Sequence, residues 1–263
     1  MINFMNLIKT YIINLRSSEA RRSYMKQLLA PYNFLQVEFI TAIEGRVMSE
    51  DDISANFDRH SCMMHNGREL NRGEIGCVLS HRRTYETFLK SDYPYALVLE
   101  DDISVIRDIN ELRMCEWKSV LDTPEPTVLF LSGDYWYVGN NSPIVTCYDA
   151  LGAYAYMINR SAAKLMLSLD RPYYVADDWM VFREWGLNLK AVKPYMIDAN
   201  LNMDVLSSDV QQLQWGKNRE KMSALELVKS IKYSMIKKVL KVLGRFESKR
   251  RVIDGKVVTK ELE

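Results

Sequence analysis

The feature that most constrains the fold is a run of five apolar residues, Tyr95–Leu99, that ends directly in the three acids Glu100, Asp101 and Asp102. A second run, Thr127–Leu131, is followed by a serine, a glycine and an aspartate. Strands without polar alternation are usually buried on both faces, as in a mostly parallel sheet covered by helices. The two runs therefore predict an α/β fold with buried central strands.

The segments around these runs alternate between strand and helix patterns. Strands are predicted over Leu7–Leu15 and Leu35–Ala42, and helices are predicted to begin at Ser17 and near Gly73. Such alternation is typical of a doubly wound, mostly parallel sheet with helices on both faces. Residues 44–72 have no clear period, and we predict an irregular insert there.

Charge is distributed unevenly along the 263 residues, although the formal net charge is only +1. Residues 1–220 contain 23 Lys and Arg against 29 Asp and Glu, a net of −6, whereas residues 221–263 contain 12 against 5, a net of +7. Such an asymmetry indicates a tail with a separate role. We therefore predict one α/β domain over residues 1–220 and a basic amphipathic tail over residues 221–263.

The basic tail carries apolar residues at helical spacing among its lysines. They are Leu225, Leu227, Val228, Ile231, Met235, Ile236, Leu240, Val242 and Leu243. Such a helix can lie on an anionic membrane surface with its apolar face in the interface. The alternative is a helix that packs on the domain and leaves a lysine face in solvent. Nucleic acid is not an expected partner, because the domain itself is acidic.

Nothing in the sequence predicts a membrane span or an exported chain. No stretch has 18 consecutive apolar residues, and Lys9 interrupts the apolar N-terminal segment, which lacks a small-residue cleavage site. Cys62, Cys77, Cys115 and Cys147 have no framework spacing, so we expect free thiols in a reducing compartment. A cytoplasmic location is predicted, with the tail offering peripheral contact with the inner face of the cytoplasmic membrane.

The three acids after the first apolar run suit a cation site. In open α/β sheets, ligands bind beyond the carboxyl ends of the strands. Adjacent carboxylates repel unless a cation neutralises them, and Mg²⁺ or Mn²⁺ prefers such oxygen ligands. In an extended segment Glu100 and Asp102 face one side and Asp101 the other, so Glu100 and Asp102 are the predicted metal ligands. The alternative is a solvated turn in which Asp102 caps the next helix.

A second acidic pair, Asp177 and Asp178, precedes a short helical pattern. Acids in the first turn of a helix are favoured by the helix dipole, which would make the pair structural. A positioned carboxylate can also remove the proton of an acceptor hydroxyl. Tyr174 and Trp179 offer flat faces on which a sugar ring could stack, although such residues more often belong to a core.

All three histidines, His60, His65 and His81, precede the acidic strand end. His60, Cys62 and His65 are potential zinc ligands, but their spacing matches no structural zinc site, so an acceptor-side loop is favoured. His81 follows Ser80 in a helical pattern, where a lone histidine is usually a satisfied core or surface group.

Several motifs resemble glycosyltransferase family 25, which includes bacterial lipooligosaccharide galactosyltransferases and collagen galactosyltransferases. The motifs occur in family order, and the pairing of a GEIGCVLSH segment with an LVLEDD segment is specific. The matching stretches are Ile12–Leu15 with Glu19, Arg21 and Arg22, then Ala42–Gly45, Gly73–His81, Leu97–Asp102, Gly152–Tyr156 and Asp177–Met180.

The resemblance implies a GT-A-type fold, a UDP-sugar donor that is usually UDP-galactose, and inversion at the anomeric carbon. It assigns Glu100 and Asp102 to an acid-x-Asp motif that binds Mn²⁺ or Mg²⁺, and it makes Asp178 the candidate catalytic base. The donor-binding candidates that it implies are Asn14, Leu15, Arg21, His81, Glu100 and Asp101. Many GT-A enzymes supply a late histidine to the metal, but the last histidine here is His81, so the third metal ligand is not assigned.

The expected activity is transfer of a hexose, most often galactose, to a hydroxyl of a lipooligosaccharide or another glycan, lipid-linked or free. Two other functions fit the same acids. One is a metal-dependent phosphoryl-transfer or phosphate-cleaving enzyme, against which the lack of a Walker-type loop counts. The other is a catalytically silent protein that binds a membrane surface through its tail.

Overall fold

The computed structural model describes residues 7–113, 116–139, 142–199 and 221–248, together with the backbone of residues 250–253 and 256–259. The strands are β1 Ile8–Asn14, β2 Leu35–Thr41, β3 Tyr95–Glu100, β4 Ile103–Val105, β5 Thr127–Phe130, β6 Tyr135–Val138, β7 Ile144–Ala150, β8 Ala155–Asn159, β9 Asn188–Val192, β10 Ile197–Ala199, β11 Phe246–Glu247, β12 Arg250–Ile253 and β13 Lys256–Thr259. The helices are α1 Glu19–Leu29, α2 Glu50–Asn56, α3 Arg59–Asn66, α4 Arg72–Leu89, α5 Trp117–Leu121, α6 Arg160–Met166, α7 Trp179–Glu184 and α8 Ala224–Val242, with 3₁₀ turns at Gly45–Val47 and Ile109–Arg113.

A mixed sheet organises the fold, with the strand order β11-β6-β7-β9-β5-β8-β3-β1-β2. The pairs β1–β2, β1–β3 and β5–β9 are parallel, whereas β8 lies antiparallel between β3 and β5. Within this sheet β1, β2, β3, β5, β6 and β9 run in one direction, and β7, β8 and β11 run in the other. The carboxyl ends of β1, β2 and β3 therefore meet at one edge of the sheet.

Apolar side chains cover both faces of this sheet, because successive residues of a strand point to opposite sides. Tyr11 and Ile13 pack in a core with residues of α4, α6 and α7, whereas Ile12 packs in a second core with residues of α1 and α5. The two apolar runs read from the sequence are both buried strands. The predicted α/β class, with helices on both faces of a sheet whose strands mostly run one way, is confirmed.

The prediction of an irregular insert over residues 44–72 is wrong, because that region folds into α2 and α3. Ser49 caps α2 through the backbone nitrogen of Asp52 at 3.0 Å, and Asp58 caps α3 through the nitrogen of Ser61 at 2.9 Å. These helices have seven and eight residues, so each makes about two turns. A pattern that short cannot establish a helical period.

The N-terminal half of α4 is fixed against the chain that follows β2. Asn71 caps the helix and exchanges hydrogen bonds with Glu74 at 2.9 and 2.8 Å. A Cβ atom on Gly76 would stand 2.6 Å from the backbone nitrogen of Gly45 and 2.6 Å from the carbonyl oxygen of Ile43. Only glycine at this position allows such a close backbone approach.

The C-terminal helix α8 packs on the edge of the sheet. Its residues Tyr233, Ile236 and Leu240 contact a small core that contains Tyr148 and Met180. Beyond it, β11 pairs antiparallel with β6. These contacts attach the basic tail to the α/β domain, and the division at residue 220 stays a prediction.

A helix that crosses a bilayer must be long and predominantly apolar. In the part of the chain that the structure describes, each helix is either too short or too polar to do so.

Gly76→Ala tests the close contact between α4 and the chain after β2. The added methyl group meets backbone atoms that cannot rotate away, so we expect the free energy of unfolding to fall by about 1–3 kcal/mol. Glu86→Ala, at an exposed position of the same helix, is the matched control and should change it by less than about 0.5 kcal/mol. Urea unfolding measures both, and equal stabilities for the two variants would contradict the packing argument.

Candidate active site

A polar pocket lies where the carboxyl ends of β1, β2 and β3 face the first half of α4. Its lining consists of Ile13, Leu15, Arg21, Ala42, Ile43, Glu44, Gly45, Arg46, Gly73, Cys77, Ser80, His81, Glu100, Asp101 and Asp102. The structure thus brings together most of the site residues predicted from the sequence. Asn14 lies directly behind the pocket, and Asp178 lies outside its lining.

The acids at the end of β3 are organised by Asn14 and Arg21. The Asn14 amide donates to Asp101 Oδ2 at 2.6 Å, and Arg21 Nη1 donates to Asp101 Oδ1 at 3.0 Å and to Asp102 Oδ2 at 3.2 Å. Burial raises the pKa of the Asp101 carboxyl above its usual value, and the Asn14 and Arg21 bonds counteract that rise. One guanidinium therefore offsets part of the repulsion between two neighbouring carboxylates.

The expected side-to-side alternation of Glu100, Asp101 and Asp102 is wrong. The strand ends at Glu100 and the chain turns through Asp101 and Asp102, so the rule for extended segments does not apply beyond Glu100. All three carboxylates border the pocket. The alternative in which Asp102 caps a following helix is also wrong, because the next element is the strand β4.

Glu100 faces α4 instead of Arg21. His81 Nε2 lies 3.2 Å from Glu100 Oε1, and His81 Nδ1 lies 2.7 Å from the Tyr156 hydroxyl. The Tyr156 hydroxyl in turn lies 2.6 Å from that of Tyr85. Because the sequence places His81 on a helix well before the acidic strand, its proximity to Glu100 is visible only in three dimensions.

Cys77 completes this side of the pocket. It is not among the site residues predicted from the sequence. It lies one helical turn before His81, so both side chains project from the same face of α4. Burial raises the pKa of the Cys77 thiol well above its usual value, and the carboxylates of Glu100, Asp177 and Asp102 add to the effect. The spacing of four residues between cysteine and histidine is the signal that could have identified the pair.

Several residues of the GEIGCVLSH segment have a structural explanation. Glu74 closes the helix cap and Gly76 allows the close backbone contact. The Ser80 hydroxyl donates to the carbonyl of Gly76 at 2.6 Å and accepts the backbone N–H of Ile43 at 2.8 Å. The segment therefore holds the pocket wall after β2 in place while it directs Cys77 and His81 toward the acids.

The two acids before α7 have different surroundings. The Asp178 carboxylate is buried and contacts His65 Nε2 at 2.6 Å, while His65 Nδ1 contacts Glu226 of α8 at 2.7 Å. Asp177 accepts the backbone N–H of Gly152 at 2.8 Å. Burial raises the pKa of the Asp177 carboxyl, and the charges of Asp178 and Glu100 raise it further. Asp177 is therefore within electrostatic reach of the pocket acids.

Asp178 stands at the N-cap position of α7, but its side chain makes no capping hydrogen bond. The neighbouring aromatic residues belong to the core, because Trp179 and Tyr174 are at most 2% exposed. They offer no free face to a sugar ring.

The zinc arrangement considered for His60, Cys62 and His65 does not form. His60 is exposed, Cys62 is buried near the carbonyl of Arg68, and His65 is engaged by two carboxylates. These residues form the helix α3, which corrects the predicted acceptor-side loop.

The fold and the pocket together define an α/β protein with an acidic cleft at the carboxyl ends of its strands, the position at which such sheets bind ligands. The sequence profile described as "Glycosyltransferase family 25 (LPS biosynthesis protein)" matches residues 7–181. This match covers more than half of the chain, and the protein belongs to glycosyltransferase family 25.

Individual relatives agree with this assignment. A putative glycosyltransferase of Haemophilus influenzae is 26% identical over 238 residues, which are 84% of this chain and 82% of that protein. A glycosyltransferase 25 family member of Aedes aegypti is 36% identical over 102 residues, and human procollagen galactosyltransferase 2 is 28% identical over 102 residues. These last two matches cover 38% of this chain but only 17% and 16% of the longer relatives.

The similarity to solved structures is weaker than the similarity to the family profile. The glycosyltransferase GlyE of Streptococcus pneumoniae superposes with a TM-score of 0.41 and 11% identity, over 94% of this chain and 67% of that chain. The family assignment therefore rests on the sequence match.

Arg21→Ala tests whether Arg21 holds the pocket acids together. With Arg21 removed, the buried Asp101 carboxylate loses its charge partner, so we expect the free energy of unfolding in metal-free buffer to fall by about 3 kcal/mol. Arg16→Ala, at an exposed position, is the control. A double-mutant cycle with Asp101→Asn should show coupling of about 1 kcal/mol or more, and additive effects would show that the pair contributes no interaction of its own.

Proposed function

We propose that this glycosyltransferase transfers galactose from UDP-galactose to a hydroxyl of a glycan acceptor, with inversion and with a divalent cation in the pocket. The observation that carries the proposal is the convergence of Glu100, Asp101 and Asp102 with Arg21 and His81 in one pocket at the strand ends. The procollagen galactosyltransferases among the relatives support galactose, and the description of the family supports a lipopolysaccharide-type acceptor.

The chemistry of the pocket fits a divalent cation. Its charged lining comprises four carboxylates, those of Glu44, Glu100, Asp101 and Asp102, and two guanidiniums. Glu100 and Asp102 are the proposed cation ligands. When bound, the cation supplies positive charge to the diphosphate that leaves the sugar.

The side chains around these ligands position the donor. Asn14 and Arg21 fix Asp101 through the hydrogen bonds described above, which keeps the strand end rigid. The Asn14 Oδ1 atom is buried and has no hydrogen-bond partner among the described residues. Leu15 and His81 provide neighbouring walls of the same pocket.

We assign the removal of the acceptor proton to the pair before α7, and within it to Asp177. The family resemblance had favoured Asp178, but that carboxylate is buried against His65. Asp177 instead accepts the backbone N–H of Gly152, and its carboxyl pKa is raised by burial and by the charges of Asp178 and Glu100. Its raised pKa brings the carboxylate closer to the operating pH, where a general base is more effective.

Substitution of each acid in turn tests the assignment. We expect Asp102→Asn to abolish galactosyl transfer, because a cation ligand is lost, and Asp177→Asn to lower kcat by about 10²–10⁴-fold, because a general base is lost. Asp178→Asn should retain more activity than Asp177→Asn. The assay is transfer from UDP-galactose with Mn²⁺, with far-UV circular dichroism and Tm as folding controls.

The outcomes separate the assignments. Near-normal transfer by Asp102→Asn would remove it from the cation site. Loss of transfer in Asp178→Asn with Asp177→Asn unaffected would return the base to Asp178. A wild-type protein that cleaves phosphate esters but transfers no sugar would instead support the phosphoryl-transfer alternative.

We also propose that α8 places the enzyme on an anionic membrane surface. Its outward residues are apolar and between 43% and 87% exposed, namely Leu225, Val228, Ile231, Met235, Val239 and Val242, together with the adjacent Leu243. On a helical wheel Lys232 and Lys238 flank this stripe, and both are exposed. Apolar stripes with flanking lysines suit the interface of anionic lipids.

The sequence left open whether this helix lies on a membrane surface or packs on the domain. The helix does pack on the domain, but it directs two lysines inward, with Lys229 bonded to Glu184 at 2.7 Å and Lys237 bonded to Asp149 at 2.7 Å. The face left in solvent is thus mainly apolar, although Lys232, Lys238 and Lys241 are exposed as well.

Vesicle binding tests the proposed membrane surface. We expect Val228→Asp/Met235→Asp to weaken binding to vesicles that contain phosphatidylglycerol by at least about tenfold, because two apolar side chains leave the interface. Val47→Asp, at a 75% exposed position outside α8, is the control. Co-sedimentation measures binding, and size-exclusion chromatography shows whether the face instead joins two copies. Binding that is unchanged in the double variant would contradict the proposal.

A further inference from the structure

Cys77, His81 and Glu100 form a compact group of potential metal ligands within the pocket. One ligand atom from each side chain, a sulfur, an imidazole nitrogen and a carboxylate oxygen, lies within 4.8 Å of the other two. Across the residues that the structure describes, no second group of histidine, cysteine and acidic side chains meets this criterion. The group combines two residues of one helical turn with the end of a strand, so its geometry is fixed by the fold.

The surroundings of His81 orient its Nε2 atom toward Glu100. When Nδ1 donates to the Tyr156 hydroxyl at 2.7 Å, Nε2 presents a lone pair to Glu100 Oε1 at 3.2 Å. Two lone pairs at that distance repel unless a proton or a cation lies between them. A hydrogen bond from the second ring nitrogen is also what fixes the ring of a metal-bound histidine.

The charge of the pocket favours a cation at this end. Arg21 is engaged by Asp101 and Asp102, which leaves Glu100 on the opposite side, next to Cys77 and His81. Ligand atoms of a tetrahedral zinc site lie about 3.5 Å apart, given bond lengths of about 2.0–2.3 Å. The three side chains therefore need to close by only about 1 Å to reach that arrangement.

We propose that Cys77, His81 and Glu100 bind a borderline-soft divalent cation of the Zn²⁺ type, with the remaining position open to the pocket. Sulfur and nitrogen ligands select such ions over Mg²⁺, which requires oxygen. Three protein ligands with one open position are the usual arrangement of a catalytic zinc site. Cys77 binds as the thiolate and releases its proton to solvent. The inference rests on the proposed function only in placing this ion in the donor pocket.

Cobalt substitution tests the site without an activity assay. Metal-free full-length protein titrated with Co²⁺ should bind one equivalent and develop a thiolate-to-cobalt charge-transfer band, which Zn²⁺ then removes. Cys77→Ser should abolish the band, and His81→Gln should weaken Co²⁺ binding at least tenfold. Cys62→Ser, at a buried cysteine outside the pocket, is the matched control and should keep the band. Asp102→Asn should keep it as well.

Several results would overturn the proposal. They are the absence of a charge-transfer band in the folded wild type and a band that survives Cys77→Ser. Thermal melting confirms that each variant is folded. Galactosyl transfer without a cobalt band would leave the proposed function standing and reject this site. A cobalt band without turnover of any UDP-sugar would support this site and reject the proposed function.

Discussion

The fold depends on how it stabilises three carboxylates at the end of one buried strand. Two of them share the Arg21 guanidinium, and the third faces His81. Asn14 also donates a hydrogen bond to Asp101. The three partners of the acids come from different elements, since Arg21 belongs to α1, His81 to α4 and Asn14 to β1. Repulsion between the acids would destabilise the strand end if those elements were not packed around it. The packing of these elements around the sheet is therefore also what stabilises the acids of the pocket.

Helix α4 contributes both to the core that covers the sheet and to the wall of the pocket. Its buried face covers the sheet through residues such as Val78, Tyr85 and Phe88, whereas Cys77 and His81 border the pocket. The glycine contact and the Ser80 hydrogen bonds fix the helix against the chain after β2. Stability and pocket geometry thus depend on the same few residues, which explains why a change as small as one methyl group at Gly76 should affect the whole domain.

Much of the fold could be predicted from local sequence, because long apolar runs and well-capped helices have clear patterns. The strands before Glu100 and after Pro126 belong to this class, and so does the start of α4 near Gly73. Short helices such as α2 were missed because seven residues cannot establish a period. The antiparallel insertion of β8 between β3 and β5 was also missed, since strand order is set by contacts between distant segments.

The candidate site was predictable to a similar degree. The acids were found from their position after a buried strand, but their orientation was not, because the chain turns at Asp101. The link from Asp178 through His65 to Glu226 joins residues separated by 113 and 161 positions, so no local pattern could indicate it. The same holds for the contact between His81 and Glu100, which made an early histidine a neighbour of the acidic strand end.

The central claim is that the acidic end of β3 is the binding site of a nucleotide-sugar donor that depends on a divalent cation. Isothermal titration calorimetry of UDP into the wild-type protein, with and without a divalent cation, tests this claim most directly. The account predicts saturable binding of one UDP per chain that requires the cation and is lost in Glu100→Gln/Asp102→Asn. Binding of UDP that is indifferent to the cation and to these two carboxylates would contradict it.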